Sequence, residues 1–105
     1  MGLEMRKDEV IGLIREAFEE VSIYIGTTAL RMIVERILYD LSVYNSSLRS
    51  IKVEDPKEID FYKFSPNELK KFYYMFADII GTMLGDEFKE ELLKSWKEGK
   101  VNVKT

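Results

Sequence analysis

The stretch VIGLIREAFEEVSIYIGTTALRMIVERI, from Val10 to Ile37, decides the fold, because a second stretch, LKKFYYMFADIIGTMLGDEFKEELLKSW from Leu69 to Trp96, falls into register with it at an offset of 59 residues. Val10, Leu13, Ile14, Ala17, Val21, Tyr24 and Ile25 meet Leu69, Phe72, Tyr73, Phe76, Ile80, Met83 and Leu84. Both sets recur three and four apart, the spacing that gathers side chains on one face of an α-helix. Gly26 then meets Gly85, Thr27 meets Asp86, and Ala29, Ile33, Val34 and Ile37 meet Phe88, Leu92, Leu93 and Trp96. Each half reads helix, Gly, helix, the pattern of an internal duplication. The Gly suits a left-handed residue closing one helix, and the Thr or Asp behind it suits a side-chain acceptor for the free amides that open the next. Four residues before each Gly stands another small residue, Ser22 or Gly81, which lets the two helices approach closely at the bend.

Outward from these corners, the sequence predicts an all-α domain over residues 1–105: a bundle of four main helices from two duplicated helix-Gly-helix pairs, with a short extra helix or turn in the central linker. The helices are expected over about Lys7 to Ile25, Thr28 to Tyr44, Pro66 to Leu84 and Glu87 to Glu98. That gives a first pair at 7–44, a linker at 45–64, a second pair at 65–99 and a tail at 100–105. Ser65-Pro66-Asn67-Glu68 places a capping Ser, a Pro at the first helical position and a reciprocal Glu three residues on, with Phe64 set to staple onto Leu69. Gly99 is the expected stop of the last helix, with Lys94 and Lys97 near its negative end. Asp55-Pro56-Lys57-Glu58 carries a second cap signature, so a short helix packing Ile59, Phe61 or Tyr62 on the bundle is preferred to a ribbon made from Ile51-Lys52-Val53. The tail Val101-Asn102-Val103 alternates.

With 46% apolar residues in 105, the chain can fill one core. No run approaches the roughly 18 to 20 apolar residues of a membrane span, and the charged segment from Met1 to Val10 lacks a signal-peptide core, so we expect a cytoplasmic protein with no membrane partner. There is no Cys for a disulfide frame or thiolate chemistry, and no His, the commonest general base and metal ligand. No catalytic, metal or cofactor residue is therefore expected, and the chain reads as a non-enzyme. Gln is absent too, while Lys, Glu and Ile abound, a composition suited to a hot environment.

The two halves differ in one respect that bears on function. The helix over 28–44 carries apolar residues nearly all round, whereas its counterpart has Lys89, Glu91, Lys97, Glu98 and Lys100 at the positions of Leu30, Met32, Leu38, Tyr39 and Leu41. A surplus apolar face suggests self-association, so Leu30, Met32, Leu38, Tyr39 and Leu41 are the candidate interface of a homodimer, the alternative being that this helix is central in a monomer. The aromatics of Phe61 to Phe64 and Phe72 to Phe76 offer a second candidate, an apolar-ligand pocket using Phe61, Phe64, Tyr74 and Met75, although a stripe at helical spacing is more often core. Asp78 is expected to be exposed or ion-paired. Arg15 with Glu19, Arg31 with Glu35, Arg36 with Asp40, and Glu90 with Lys94 stand four apart, as on solvated helix faces.

Ser22, Gly26 and Met32 also fit the spacing of a helix-turn-helix. The charges argue against that reading: Thr27 to Val34 supplies Arg31 alone to a groove, and a net charge of -3 denies the basic patch that phosphates require, so nucleic acid is not an expected partner. The duplicated Gly corners, with Asp55-Pro56 and Phe64 ahead of the second half, resemble the small all-helical output domains attached to archaeal sensor proteins. That resemblance implies signalling through protein contacts rather than chemistry, and it carries no particular functional residue onto this chain. The resulting expectation is a self-associating interaction or regulatory module whose protein partner is unidentified.

Overall fold

The computed structural model describes residues 7–51 and 53–104, and the side chains among them except those of 50 and 97–104. The described residues are helical or loop, without a strand. Three α-helices run in chain order, α1 over Lys7–Leu41, α2 over Pro66–Leu84 and α3 over Asp86–Lys104, with short 3₁₀ turns at Ser46–Ser50, Pro56–Glu58 and Phe61–Lys63 between the first two. The expected first and second helices form one continuous run interrupted by a kink at Gly26, which has φ 83° and ψ 163°. We call its two parts the 7–25 and 27–41 limbs. Turn residues follow Leu41, so the helix stops three residues before the predicted Tyr44. α3 does not stop at Gly99; it continues to Lys104, taking in the predicted tail.

The glycine corners are sharper than a left-handed cap. Gly26 and Gly85 both pair a positive φ (83° and 108°) with an extended ψ (163° and 160°), a region that only glycine populates readily. At the second corner one residue does all the joining. The Gly85 amide donates to the Gly81 carbonyl at 3.0 Å, closing α2, while its own carbonyl accepts from the Phe88 and Lys89 amides at 3.2 and 3.3 Å, opening α3. The backbone of Gly85 thus accepts the amides predicted for the Asp86 side chain. Gly81 has the close approach foreseen for it, since a Cβ there would lie 2.9 Å from the side chain of Lys89. Burial follows the 59-residue register: Val10 and Leu69, Ile14 and Tyr73, Ala17 and Phe76, Val21 and Ile80, Ile33 and Leu92, and Ile37 and Trp96 are all buried, while Tyr24 and Met83 are exposed.

α2 begins as predicted. Ser65 accepts from the Glu68 amide at 3.2 Å and Glu68 Oε1 accepts from the Ser65 amide at 2.8 Å, a reciprocal cap ahead of Leu69. The linker is wrapped on α1 in three capped turns rather than one helix. Asn45, Asp55 and Asp60 each accept from the amide two residues on, which satisfies donors that a short turn leaves free. Between the caps, Leu48, Ile59, Phe61 and Phe64 are buried, and Tyr62 is left outside.

The core centres on Phe18. Its ring lies 5.9, 6.0 and 5.2 Å from those of Phe61, Phe72 and Phe76, and Phe61 and Phe64 continue the tilted and edge-on contacts. One side chain therefore joins the 7–25 limb to the linker and to α2. The stripe read from the sequence placed Tyr24 inside and passed over Phe18; the buried face of this limb is instead Val10, Ile11, Ile14, Ala17, Phe18 and Val21, with Tyr24 on the surface, edge-on to Phe88 at 5.3 Å. The Tyr73 hydroxyl donates to the Leu92 carbonyl at 2.6 Å, tying α2 to α3; burial pushes that phenol up, with Glu16 and Glu20 adding to the shift.

The corners set the first prediction. Gly26→Ala and Gly85→Ala should each lower unfolding stability by about 1–3 kcal/mol in urea titrations, because both hold the glycine-only conformation. Gly12→Ala, in mid-helix with nothing within 4 Å of the new methyl, should raise it by roughly 0.5–1 kcal/mol.

Candidate functional site

The 27–41 limb of α1 and helix α2 lie side by side and antiparallel, with Met32 and Ile33 level with Asp78 and Ile79, and Tyr44 level with Lys70 and Lys71. The far end is pinned by Asn45, whose side-chain amide donates to Glu68 Oε2 at 2.7 Å. The capping glutamate of α2 thereby also holds the end of α1. Burial pushes the Glu68 carboxyl up, but bonds from the Ser65 amide, the Asn45 side chain and the Ser65 hydroxyl outweigh it and hold the group below its ordinary value.

Between these helices runs an open trough in two halves of about 520 and 510 Å³, joined through Asp40 and Met75, which line both. Its lining is largely apolar: Met32, Ile33, Met75 and Ile79 in one half, and Leu41, Tyr44 and Tyr74 in the other. Met32 and Tyr44 are 64% and 74% exposed, a large apolar area for two side chains beside a groove. Charges stand at the margins. Arg36 lies 3.4 Å from Asp40 on α1, and on α2 Asp78 takes Lys89 Nζ at 2.7 Å, the ion pair that the sequence suggested. Lys71 sits 4.2 Å over the Tyr44 ring.

The predicted site residues divide between the core and this trough. Leu30, Leu38 and Leu41 are 0%, 3% and 1% exposed, so the chain's own core occupies them and leaves no face for a second subunit. Met32 and Tyr39, both 64% exposed, remain on the surface. Leu38 borders a small recess of about 150 Å³ that the linker's Leu48, Arg49, Ile51 and Val53 share with Glu35 and Tyr39. Phe61 and Phe64 are sealed in the Phe18 cluster, away from any opening, whereas Tyr74 and Met75 line the trough. The four aromatic and Met candidates therefore do not form one pocket.

A second recess, of about 530 Å³, lies between the 7–25 limb and α3 under Tyr24, Phe88 and Leu92 and is rimmed by Glu20, Glu87, Glu90 and Glu91. Among the described residues no group of three or more Asp or Glu is placed to hold a metal ion, and no helix is long and apolar enough to cross a membrane. Arg31, the one candidate groove-reading cation, is paired with Glu35 at 3.7 Å, and Met32, which a helix-turn-helix would bury, is exposed. No protein-family model, curated protein or solved structure matches the chain.

Two expected outcomes test this arrangement. Leu38→Glu puts an unpaired carboxylate into the core and should lower stability by at least about 3 kcal/mol, seen as a collapse of the thermal melt rather than release of a folded monomer. Because the folded Glu68 carboxyl titrates below its unfolded value, its stabilisation is present above the ordinary carboxylate range and fades as the pH drops through the folded value. In urea titrations Glu68→Gln should therefore be less stable than the parent at pH 7, with the gap narrowing by pH 3.

Proposed function

We propose that this chain is a non-enzymatic interaction or regulatory module, built from two duplicated helix-Gly-helix halves, that works as a homodimer. The observation that carries the reading is the trough between α1 and α2, where apolar side chains too large to be incidental stand open beside unlike charges. The groups with shifted titration are accounted for by scaffolding contacts rather than by a cleft. Glu68 caps α2, Tyr73 is buried against α3, Tyr62 donates to Asp8 at 2.7 Å, and Lys89 is held by Asp78.

Support for the duplication is the shared glycine conformation at Gly26 and Gly85 and the burial that repeats along the two halves. Its divergence is also meaningful. Leu30, wholly buried, has Lys89 as its counterpart, so the second half reaches outward to Asp78 where the first packs inward. On this reading the halves share a corner and each supplies one apolar wall of the trough, Met32, Ile33 and Tyr44 from the first and Tyr74, Met75 and Ile79 from the second. A role like that of the helical output domains of archaeal sensors, acting through contacts in the cytoplasm, fits such a build.

The alternative is an apolar-ligand binder, favoured by the volume of the half-trough lined by Leu41, Tyr44, Tyr74 and Met75, about 510 Å³, within the range of small-molecule sites. A native mass spectrum of the purified protein separates the two. A dimer without added mass is the expected result; a monomer carrying a retained small molecule would replace the proposal with the ligand-binding reading.

A further inference from the structure

The margins of the trough carry charges in alternation. On the α1 side Arg36 is followed by Asp40; on the α2 side, which runs the other way, Asp78 stands across from Arg36, and Lys70 and Lys71 together form the positive corner near Asp40. The four corners thus read plus and minus along one helix, minus and plus along the other. Such a checkerboard is its own complement. A two-fold axis lying in the plane of the trough and perpendicular to the helices brings Arg36 onto the second copy's Asp40 and Lys71 onto the second copy's Asp78. An axis along the helices brings Arg36 onto the second copy's Asp78 and Asp40 onto the second copy's Lys71. Either way unlike charges meet, and the isologous symmetry of a closed dimer requires a surface of this kind.

From this complementarity we infer that the occupant of the trough is a second copy of the chain, seated face to face through Met32, Tyr44, Tyr74 and Met75 and held in register by Arg36, Asp40, Lys71 and Asp78. The inference rests on the self-association proposed above and names its surface. The charged groups have capacity left for a partner, since the side chains of Arg36 and Asp78 are 72% and 73% exposed even while paired within the chain. The apolar part supplies the anchor. Met32 is unbranched and adaptable, and the tyrosines bring broad rings with few torsions to order, the kinds of side chain that interface centres favour. A foreign helix would need apolar anchors and a matching order of charges of its own, whereas a second copy already carries both.

The test is the dimer dissociation constant, measured by sedimentation equilibrium for the parent, Met32→Glu, Lys71→Glu and, as an exposed position outside the trough, Val43→Glu. Circular dichroism melts establish that each variant is folded, which the exposure of Met32 and Val43 favours. The expected result is a parent dimer, weakened at least about tenfold by Met32→Glu and by Lys71→Glu and left within about twofold by Val43→Glu. A parent dimer indifferent to both trough variants would overturn this surface while leaving self-association standing on another face. A parent that stays monomeric at the highest concentrations would overturn both.

Discussion

Burial of the Phe18 ring against Phe61, Phe72 and Phe76 is the contact on which the remaining architecture depends. Helices α1 and α2 are joined by more than twenty residues of linker, and ordering such a segment is entropically costly unless it buries something large. Phe61 and Phe64 meet that need. Each fully buried aromatic side chain is worth roughly 1.5–3 kcal/mol relative to exposure, and Phe18 and the three rings against it share one desolvated volume with Phe64. Once Phe61 is fixed there, the preceding turns have to run along α1. Leu48 and Ile59 then close its outer flank.

The glycine corners act on a different scale. At Gly85 a single residue ends one helix and begins the next, and at Gly26 the break is short enough that helix continues on either side. Neither corner leaves a flexible span between its helices, so the two elements behave as bent rods with little freedom at the elbow. Long-range pins complete the frame. Asn45 to Glu68 closes one end of the α1 and α2 pair, and Lys89 to Asp78 braces the corner at the other. The trough is the space between the 27–41 limb and α2, pinned at the Asn45 end.

The same geometry explains why the outward face differs from the one a helical wheel suggests. The 27–41 limb buries Leu30, Ile33, Val34, Ile37, Leu38 and Leu41, while Thr27, Thr28, Arg31, Met32, Glu35, Arg36 and Tyr39 stay exposed. Met32 and Tyr39, nearly two full turns apart, emerge on the same exposed strip, Met32 bordering the trough and Tyr39 beside Arg49.

Much of the local structure could be read from the chain. The span of α2, its reciprocal Ser65 and Glu68 cap, the corners at Gly26 and Gly85 and the capped start at Asp55 all follow from interactions among residues four or fewer apart, where spacing and backbone preference suffice. What only the tertiary structure decided was which face of each helix is covered. Phe18 and Tyr24 are both compatible with helical stripes, and the register partner of Phe18 is the small Ala77, which hid its weight; the choice between them was made by Phe61 arriving from the linker. Leu38 and Leu41 look from spacing alone as available as Met32, yet both are drawn into the core. The linker has no period to announce where it will lie, because its caps direct only the adjacent amides while its buried side chains answer to partners on other elements, Phe61 to Phe18 and Phe72, and Phe64 to Phe72.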